Sequence, residues 1–170
     1  MPPKEPLHLK LVLVTPEIPA NTGNIVRLCA ATGVELHLIE PLGFRLDDRL
    51  CRRAGLDYWA HCTPRVHLDF EHFESACPDA RCLFLSARGR SSLFACRIRP
   101  ADALVLGPES SGLSDRFLAE GDRASRSVHL PMPGEGRSLN LSTAAGIAVY
   151  EALRQLGALG PGPEAPCPSS

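Results

Sequence analysis

Residues 104–114 read LVLGPESSGLS, and residues 129–155 read HLPMPGEGRSLNLSTAAGIAVYEALRQ. A short apolar run ends at Gly107-Pro108-Glu109. A second ends at Pro131, and a loop rich in Gly, Pro and Ser then leads into a long helix expected from Ser138 to about Leu156, stopped by Gly157 and Gly160-Pro161. Strand ends that run into glycine-rich loops and helices place free backbone groups at the carboxyl edge of a parallel sheet, where open α/β folds bind ligands.

The same alternation extends outward through the chain. Residues 9–14 (LKLVLV) form an apolar, β-branched run bounded by Thr15-Pro16 and predict a buried strand. Ile25, Leu28 and Cys29 recur at helical spacing from Thr22 to Thr32, with Gly33 as the C-cap. Strands are expected at 34–39, 82–86, 103–106 and 127–130, and the stretch 58–68 is ambiguous, with a short strand near Val66. Further helices are expected over Arg45–Ala54, Asp69–Ala76 and Ser114–Glu120, the last followed by Gly121. Strands alternating with helices imply an α/β fold, a mostly parallel sheet with helices on both faces. One domain over residues 1–157 accounts for the pattern. Residues 158–170 form a Pro-rich tail with almost no large apolar side chains, and disorder is expected there.

Composition narrows the function classes. With 44% hydrophobic and 22% charged residues the chain reads as an ordinary globular protein. No apolar stretch reaches the roughly 20 residues that span a bilayer, and the N-terminus has no signal-peptide pattern, so a cytoplasmic location and no membrane partner are expected. Seven cysteines form no C-x-x-C pair, and Cys29 and Cys82 sit in apolar patterns as reduced core residues. The six histidines form no H-x-x-x-H pair, so no metal is expected. A net charge of −1 argues against indiscriminate nucleic-acid binding. Yet apart from Lys4 and Lys10 every basic residue is arginine, the better phosphate fork. Arg45, Arg49, Arg52 and Arg53 crowd one segment, either as a phosphate-binding surface or as a solvated helix face offset by Asp47 and Asp48.

Several polar residues stand out. Asn21, Asn24 and Arg27 are spaced by three, which brings the latter two together on a helix. Asn21 also suits a helix cap. Arg27 interrupts an apolar pattern, and a half-buried arginine there would need a partner. Ser138 suits the N-cap of the last helix, whose Ser142, Thr143, Ala144, Ala145, Gly146 and Ala148 permit close backbone approach within the chain or between two copies. Tyr150 on that helix is a core or interface aromatic. Gly107-Pro-Glu-Ser-Ser-Gly112 has its serine one place late for a nucleophile elbow, and Gly134-Glu-Gly136 lacks the third glycine of a dinucleotide fingerprint.

Asn21-Thr-Gly-Asn-Ile-Val-Arg27, Gly107-Pro-Glu109 and Leu130 with Arg137-Ser-Leu-Asn140 resemble, in this order, the three signature motifs of the SPOUT RNA methyltransferases. The likeness is nearest to the small enzymes that methylate the ribose 2′-hydroxyl of the tRNA wobble nucleotide. It covers residues 10 to 157 and includes Arg52-Arg-Ala-Gly-Leu-Asp-Tyr58 and Val149-Tyr-Glu-Ala-Leu-Arg-Gln-Leu-Gly157.

The resemblance implies a C-terminal trefoil knot, S-adenosyl-L-methionine as cofactor, the tRNA anticodon stem-loop as partner and a homodimer. It also implies site residues: Arg27, Asn21, Ser138 and Asn140 for catalysis; Leu85, Gly107, Glu109, Leu130 and Ser138 for the cofactor; and Arg27, Arg52, Arg53, Arg137 and Arg154 for RNA. Where the family has Thr-Arg-Gly after the glutamate, this chain has Ser110-Ser111-Gly112 and so lacks that arginine. A SPOUT enzyme acting on rRNA or another tRNA position, and a binding module without turnover, remain as alternatives.

Overall fold

The computed structural model describes residues 8–46 and 61–160. Strand β1, Lys10–Val14, lies inside a sheet whose every pairing is parallel. The other strands are β2 (Glu35–Ile39), β3 (Arg65–His67), β4 (Cys82–Leu85), β5 (Ser91–Ser92), β6 (Ala103–Leu106) and β7 (Ser127–His129). Their order across the seven-stranded sheet is β3-β2-β1-β6-β4-β7-β5. Among the described residues the helices are α1 (Pro19–Thr32), α2 (Phe70–Ala76), α3 (Asp115–Arg123) and α4 (Leu141–Gln155), with a 3₁₀ turn at Leu93–Ala95.

Because side chains alternate along a strand, β1 feeds two cores. Leu11 and Leu13 pack with Ile25, Val26, Ala145, Ala148 and Val149 of α1 and α4. Val12 and Val14 pack on the other face with Phe70, Phe73, Phe84 and Leu118. The expected helices on both faces are therefore present. Cys29 and Cys82 are buried as expected, 1% and 5% exposed.

Several boundaries differ from the sequence reading. Helix α1 begins at Pro19 rather than Thr22, with proline in its first turn, where its missing N–H costs nothing. Its C-cap is Gly33, as expected: φ is 73°, and the glycine N–H donates to the Cys29 carbonyl at 2.8 Å. Helix α4 begins at Leu141, and its N-cap is Asn140, not Ser138. The Asn140 Oδ1 accepts from the N–H groups of Ser142 and Thr143, a reach that the serine, two residues further back, does not have. Helix α3 runs through Gly121 instead of stopping before it. A Cβ there would lie 2.9 Å from Phe84 and 3.2 Å from Ser127, so the glycine serves helix–strand packing and not a turn. Strand β5 had no expectation behind it. Apart from Arg45 and Leu46, the helix expected over 45–54 lies outside the described residues, as do Arg52, Arg53 and residues 161–170.

The carboxyl end of the sheet has an unusual connection. β7 pairs with both β4 and β5, so a late strand lies between two earlier ones joined by residues 86–90. Gly89 touches β7 at the crossing, where a Cβ would come within 2.2 Å of the Val128 carbonyl. Only a residue without a side chain permits that approach.

Candidate functional site

The carboxyl ends of β6, β4 and β7 are adjacent in the sheet and open into a cleft of about 440 Å³. Its floor is apolar and buried: Leu85, Leu106, Leu130 and Leu141 are each less than a tenth exposed. Ser86, Ser110, Ser111, Ser138 and Asn140 supply polar groups around it. Gly107 is required by the loop rather than by the opening. A Cβ on it would sit 2.3 Å from the Gly112 and Leu113 backbone, and the Gly112 N–H closes the turn on the Pro108 carbonyl at 2.8 Å.

Glu109 ties this loop to α1. Its Oε2 accepts from the Glu17 N–H at 2.7 Å, and its Oε1 accepts from the Ile18 N–H at 3.1 Å and from Asn21 Nδ2 at 3.0 Å. The N-cap residue Ile18 has no side chain able to cap, so a carboxylate more than ninety positions away in the chain takes over, at the end where the helix dipole favours negative charge. Glu17 returns the contact, accepting from the Ser110 N–H at 2.9 Å and from Ser110 Oγ at 2.8 Å. Asn21, only 6% exposed, then accepts at Oδ1 from Asn140 Nδ2 at 3.0 Å. Glu109, Asn21 and Asn140 thus join three separate chain segments through one continuous line of hydrogen bonds into the start of α4.

Leu85, Gly107, Glu109, Leu130, Ser138, Asn21 and Asn140 all line this cleft. Arg27 does not. It is exposed on α1 rather than half-buried, because the apolar stripe of that helix faces the sheet and leaves Arg27 and Asn24 toward solvent. Arg137 is exposed on the loop before Ser138. Arg154 lies at the far end of α4, roughly 20 Å from its start at 1.5 Å per residue. Its guanidinium forms a fork to Glu151 at 2.8 and 2.9 Å, an attraction that holds the Glu151 carboxyl below its usual range. Tyr150 is 51% exposed and so is not a core residue. The sequence reading passed over Arg88 and Glu17. Arg88 follows the end of the strand expected at 82–86 by two residues, which is the signal that could have drawn attention to it.

Volume, apolar floor and polar rim suit a nucleoside-sized ligand, so the residues present fit the cofactor implied by the motifs. Comparison with known proteins agrees. Residues 8–150 match the SpoU rRNA Methylase family. The chain is 49% identical over 153 residues to a tRNA (cytidine(34)-2′-O)-methyltransferase of Burkholderia pseudomallei, covering 86% of this chain and 95% of that protein. It is 45% identical over 149 residues to the protein of the same name from Escherichia coli K12, covering 88% and 94%. A solved structure described as giving insights into the 2-OH methylation of C/U34 on tRNA superposes with a TM-score of 0.84 at 50% identity, over 89% of this chain and 98% of that one. AviRb of Streptomyces viridochromogenes, solved in complex with the cofactor AdoMet, superposes with a TM-score of 0.74 at 25% identity, over 90% and 62%. On the strength of the family match and these relatives, the chain belongs to the SpoU rRNA methylase family.

Proposed function

We propose that this protein transfers a methyl group from S-adenosylmethionine to the ribose 2′-hydroxyl of the wobble nucleotide, cytidine or modified uridine 34, in tRNA anticodon loops. The carrying observation is convergence. Leu85, Gly107, Leu130 and Ser138 come from three strand ends and one loop to line a single cleft, in a chain 49% identical to a tRNA (cytidine(34)-2′-O)-methyltransferase. When bound, the cofactor supplies a sulfonium methyl already activated for transfer. The protein's work is to align the hydroxyl oxygen with it and to favour deprotonation.

Arg27 takes the phosphate beside the target ribose and stabilises negative charge developing on the 2′-oxygen. A guanidinium offers five donors and no acceptor, so it is not assigned the proton. Asn21 and Asn140 spend their amides on Glu109, on each other and on the α4 cap. They act as positioning residues that hold the cleft walls in register. Arg137 extends the RNA-binding surface on the exposed rim, and Arg52 and Arg53 belong to the same proposal.

A single methyltransferase domain over 1–157, a trefoil knot and action in the cytoplasm complete the reading. The position of β7 between β4 and β5, which are joined by residues 86–90, supports the knot reading. We also infer a homodimer. Ile147 and Tyr150 of α4 are 37% and 51% exposed, and a Cβ on Gly146 would meet nothing within 4 Å in the same chain. The packing reason expected for that glycine is therefore left to a second copy. Sedimentation yielding an 18.3 kDa species at micromolar concentration would contradict it.

The deciding experiment is methyl transfer to bulk tRNA with mapping of the product. Methylation at position 34 is expected. A different tRNA position or rRNA would replace the substrate, and cofactor binding without turnover would leave a binding module. In the same assay Arg27→Ala should lose a factor on the order of 10²–10³ in rate while keeping cofactor affinity. Arg27→Lys should rescue poorly, because a point charge does not reproduce the planar fork.

A further inference from the structure

We propose that Arg88 is a phosphate-gripping residue of the cleft rim, taking a backbone phosphate of the RNA strand whose ribose enters the site, other than the one assigned to Arg27. This rests on the methyltransferase reading above and adds to it a residue that the three signature motifs do not contain.

Among the described residues lining the cleft, Arg88 is the one cation, and Glu109 is the one anion. Glu109 is already committed to the N-terminus of α1, and Ser110 and Ser111 bring hydroxyls but no charge. Of the residues that line the cleft itself, Arg88 is therefore the one that offers an oxyanion a counter-charge.

The local geometry suits that task. The Arg88 N–H donates to Ser86 Oγ at 3.2 Å, and the Gly89 N–H donates to the Ser86 carbonyl at 2.9 Å. Gly89 is also pressed against the Val128 backbone. The turn that presents the side chain is thus closed on itself and fixed to β7.

At the tip, Nη2 donates to the Leu113 carbonyl at 3.0 Å, and Nη1 donates to Asp115 Oδ1 at 2.8 Å. Two of five guanidinium donors are used, which leaves three for a ligand. The Asp115 contact is a weak competitor: the two side chains are 58% and 90% exposed, and ion pairs this open to water contribute little. A backbone phosphodiester carries one negative charge, as the carboxylate does, but it arrives in a strand of such charges and its two free oxygens match the guanidinium fork, so it displaces this solvent-exposed partner. The position at the exposed rim also selects the source of the anion. The buried floor of Leu85, Leu106 and Leu130 suits the cofactor, whereas the rim faces a macromolecule arriving from solvent.

The test compares the full chain with Arg88→Ala, Arg88→Lys and Asp115→Asn in three measurements: affinity for unmodified tRNA across a salt series, affinity for S-adenosylmethionine by calorimetry, and methyl-transfer kinetics. Arg88→Ala should weaken tRNA binding by about 10- to 100-fold, as expected for loss of a charged hydrogen bond. It should flatten the slope of log affinity against log salt by about 0.7, the value for one single-strand phosphate, and raise KM more than it lowers kcat. Cofactor affinity should stay within about twofold. Arg88→Lys should keep the salt slope and lose part of the affinity. Asp115→Asn should tighten tRNA binding, since it removes the competing carboxylate.

Cofactor affinity lost with tRNA affinity intact would overturn the proposal, and so would weaker tRNA binding in Asp115→Asn, which would mean that bracing of the 107–114 loop is the whole role. Methylation at position 34 with RNA binding indifferent to Arg88 would defeat this inference alone. Arg88-dependent RNA binding with no methylation of tRNA would defeat the functional reading alone.

Discussion

Two groups of polar side chains lie in different parts of this sheet, and they are managed in opposite ways. At the cleft, Glu109, Asn21 and Asn140 share a line of hydrogen bonds that ends on backbone N–H groups at the starts of α1 and α4. At the β2–β3 edge, His37 and His67 are 0% and 5% exposed and stack on each other with Nδ1 and Nε2 2.9 Å apart. Their outer nitrogens, His37 Nε2 and His67 Nδ1, have no hydrogen-bond partner among the described residues, and Glu35 stands 3.7 Å from the first. Burial, followed by the neighbouring His67, Arg65 and Lys10, pushes the His37 pKa down to about 3. Burial, His72 and Arg65 push His67 the same way. The comparison teaches that polar groups with satisfied partners, only Asn21 among them buried, lock three segments together at the cleft, whereas polar burial without full partners is only tolerated at the edge, where the rings survive by staying neutral.

Acid should expose that difference most strongly. His37 is neutral in the folded chain and takes a proton near 6.5 once unfolded. Its contribution is therefore fully present above pH 6.5 and lost progressively as pH falls toward 3. Denaturant melts across this range should lose about 1.4 kcal/mol per pH unit from this group alone. His37→Phe should flatten the curve by that amount. A wild-type stability independent of pH between 6.5 and 4 would show that the pair is not held neutral.

Breaking the satisfied side comes next. Glu109→Ala removes the acceptor of three donors at once and should cost about 2 kcal/mol, the upper range for a cap, with cofactor affinity falling alongside. Glu109→Gln retains one acceptor oxygen without the charge, and should cost about half as much. Calorimetry and urea midpoints read both effects, and a midpoint unchanged in Glu109→Ala would mean that water replaces the carboxylate at no cost.

The smaller effects sharpen the account of α4. Asn140→Ala should destabilise the chain by about 1 kcal/mol through loss of the cap and should release Asn21. Ser138→Ala should leave stability within about 0.5 kcal/mol, the usual range for exposed substitutions, and alter cofactor binding only. If equilibrium unfolding ranked these two in the reverse order, the cap assignment to Asn140 would be wrong.

Much of the fold was legible in the chain because it rests on short-range pattern. The apolar runs at 9–14, 82–86 and 103–106 became β1, β4 and β6 within a residue or so, and Gly33 closes α1 as its position implied. The three motifs were also legible, and Leu85, Gly107, Leu130 and Ser138 do meet at one opening. Misreadings cluster where a distant partner decides. His37 is a polar residue within the strand expected at 34–39, yet β3 and α2 cover it. Arg27 read as half-buried because it interrupts an apolar pattern, yet the stripe of α1 that faces the sheet leaves it exposed.

What the sequence determined by itself is the succession of strands and helices, since hydrophobic period and turn chemistry act between near neighbours. The start of α1 was beyond its reach, because the capping carboxylate comes from Glu109, more than ninety residues along. So was the insertion of β7 between β4 and β5, which a one-dimensional pattern does not encode. So too was the meeting of Arg88 with the 107–114 loop. Each of these depends on which strand ends become neighbours in the sheet. That order is set by which packing buries both faces at once, and only the tertiary structure decides it.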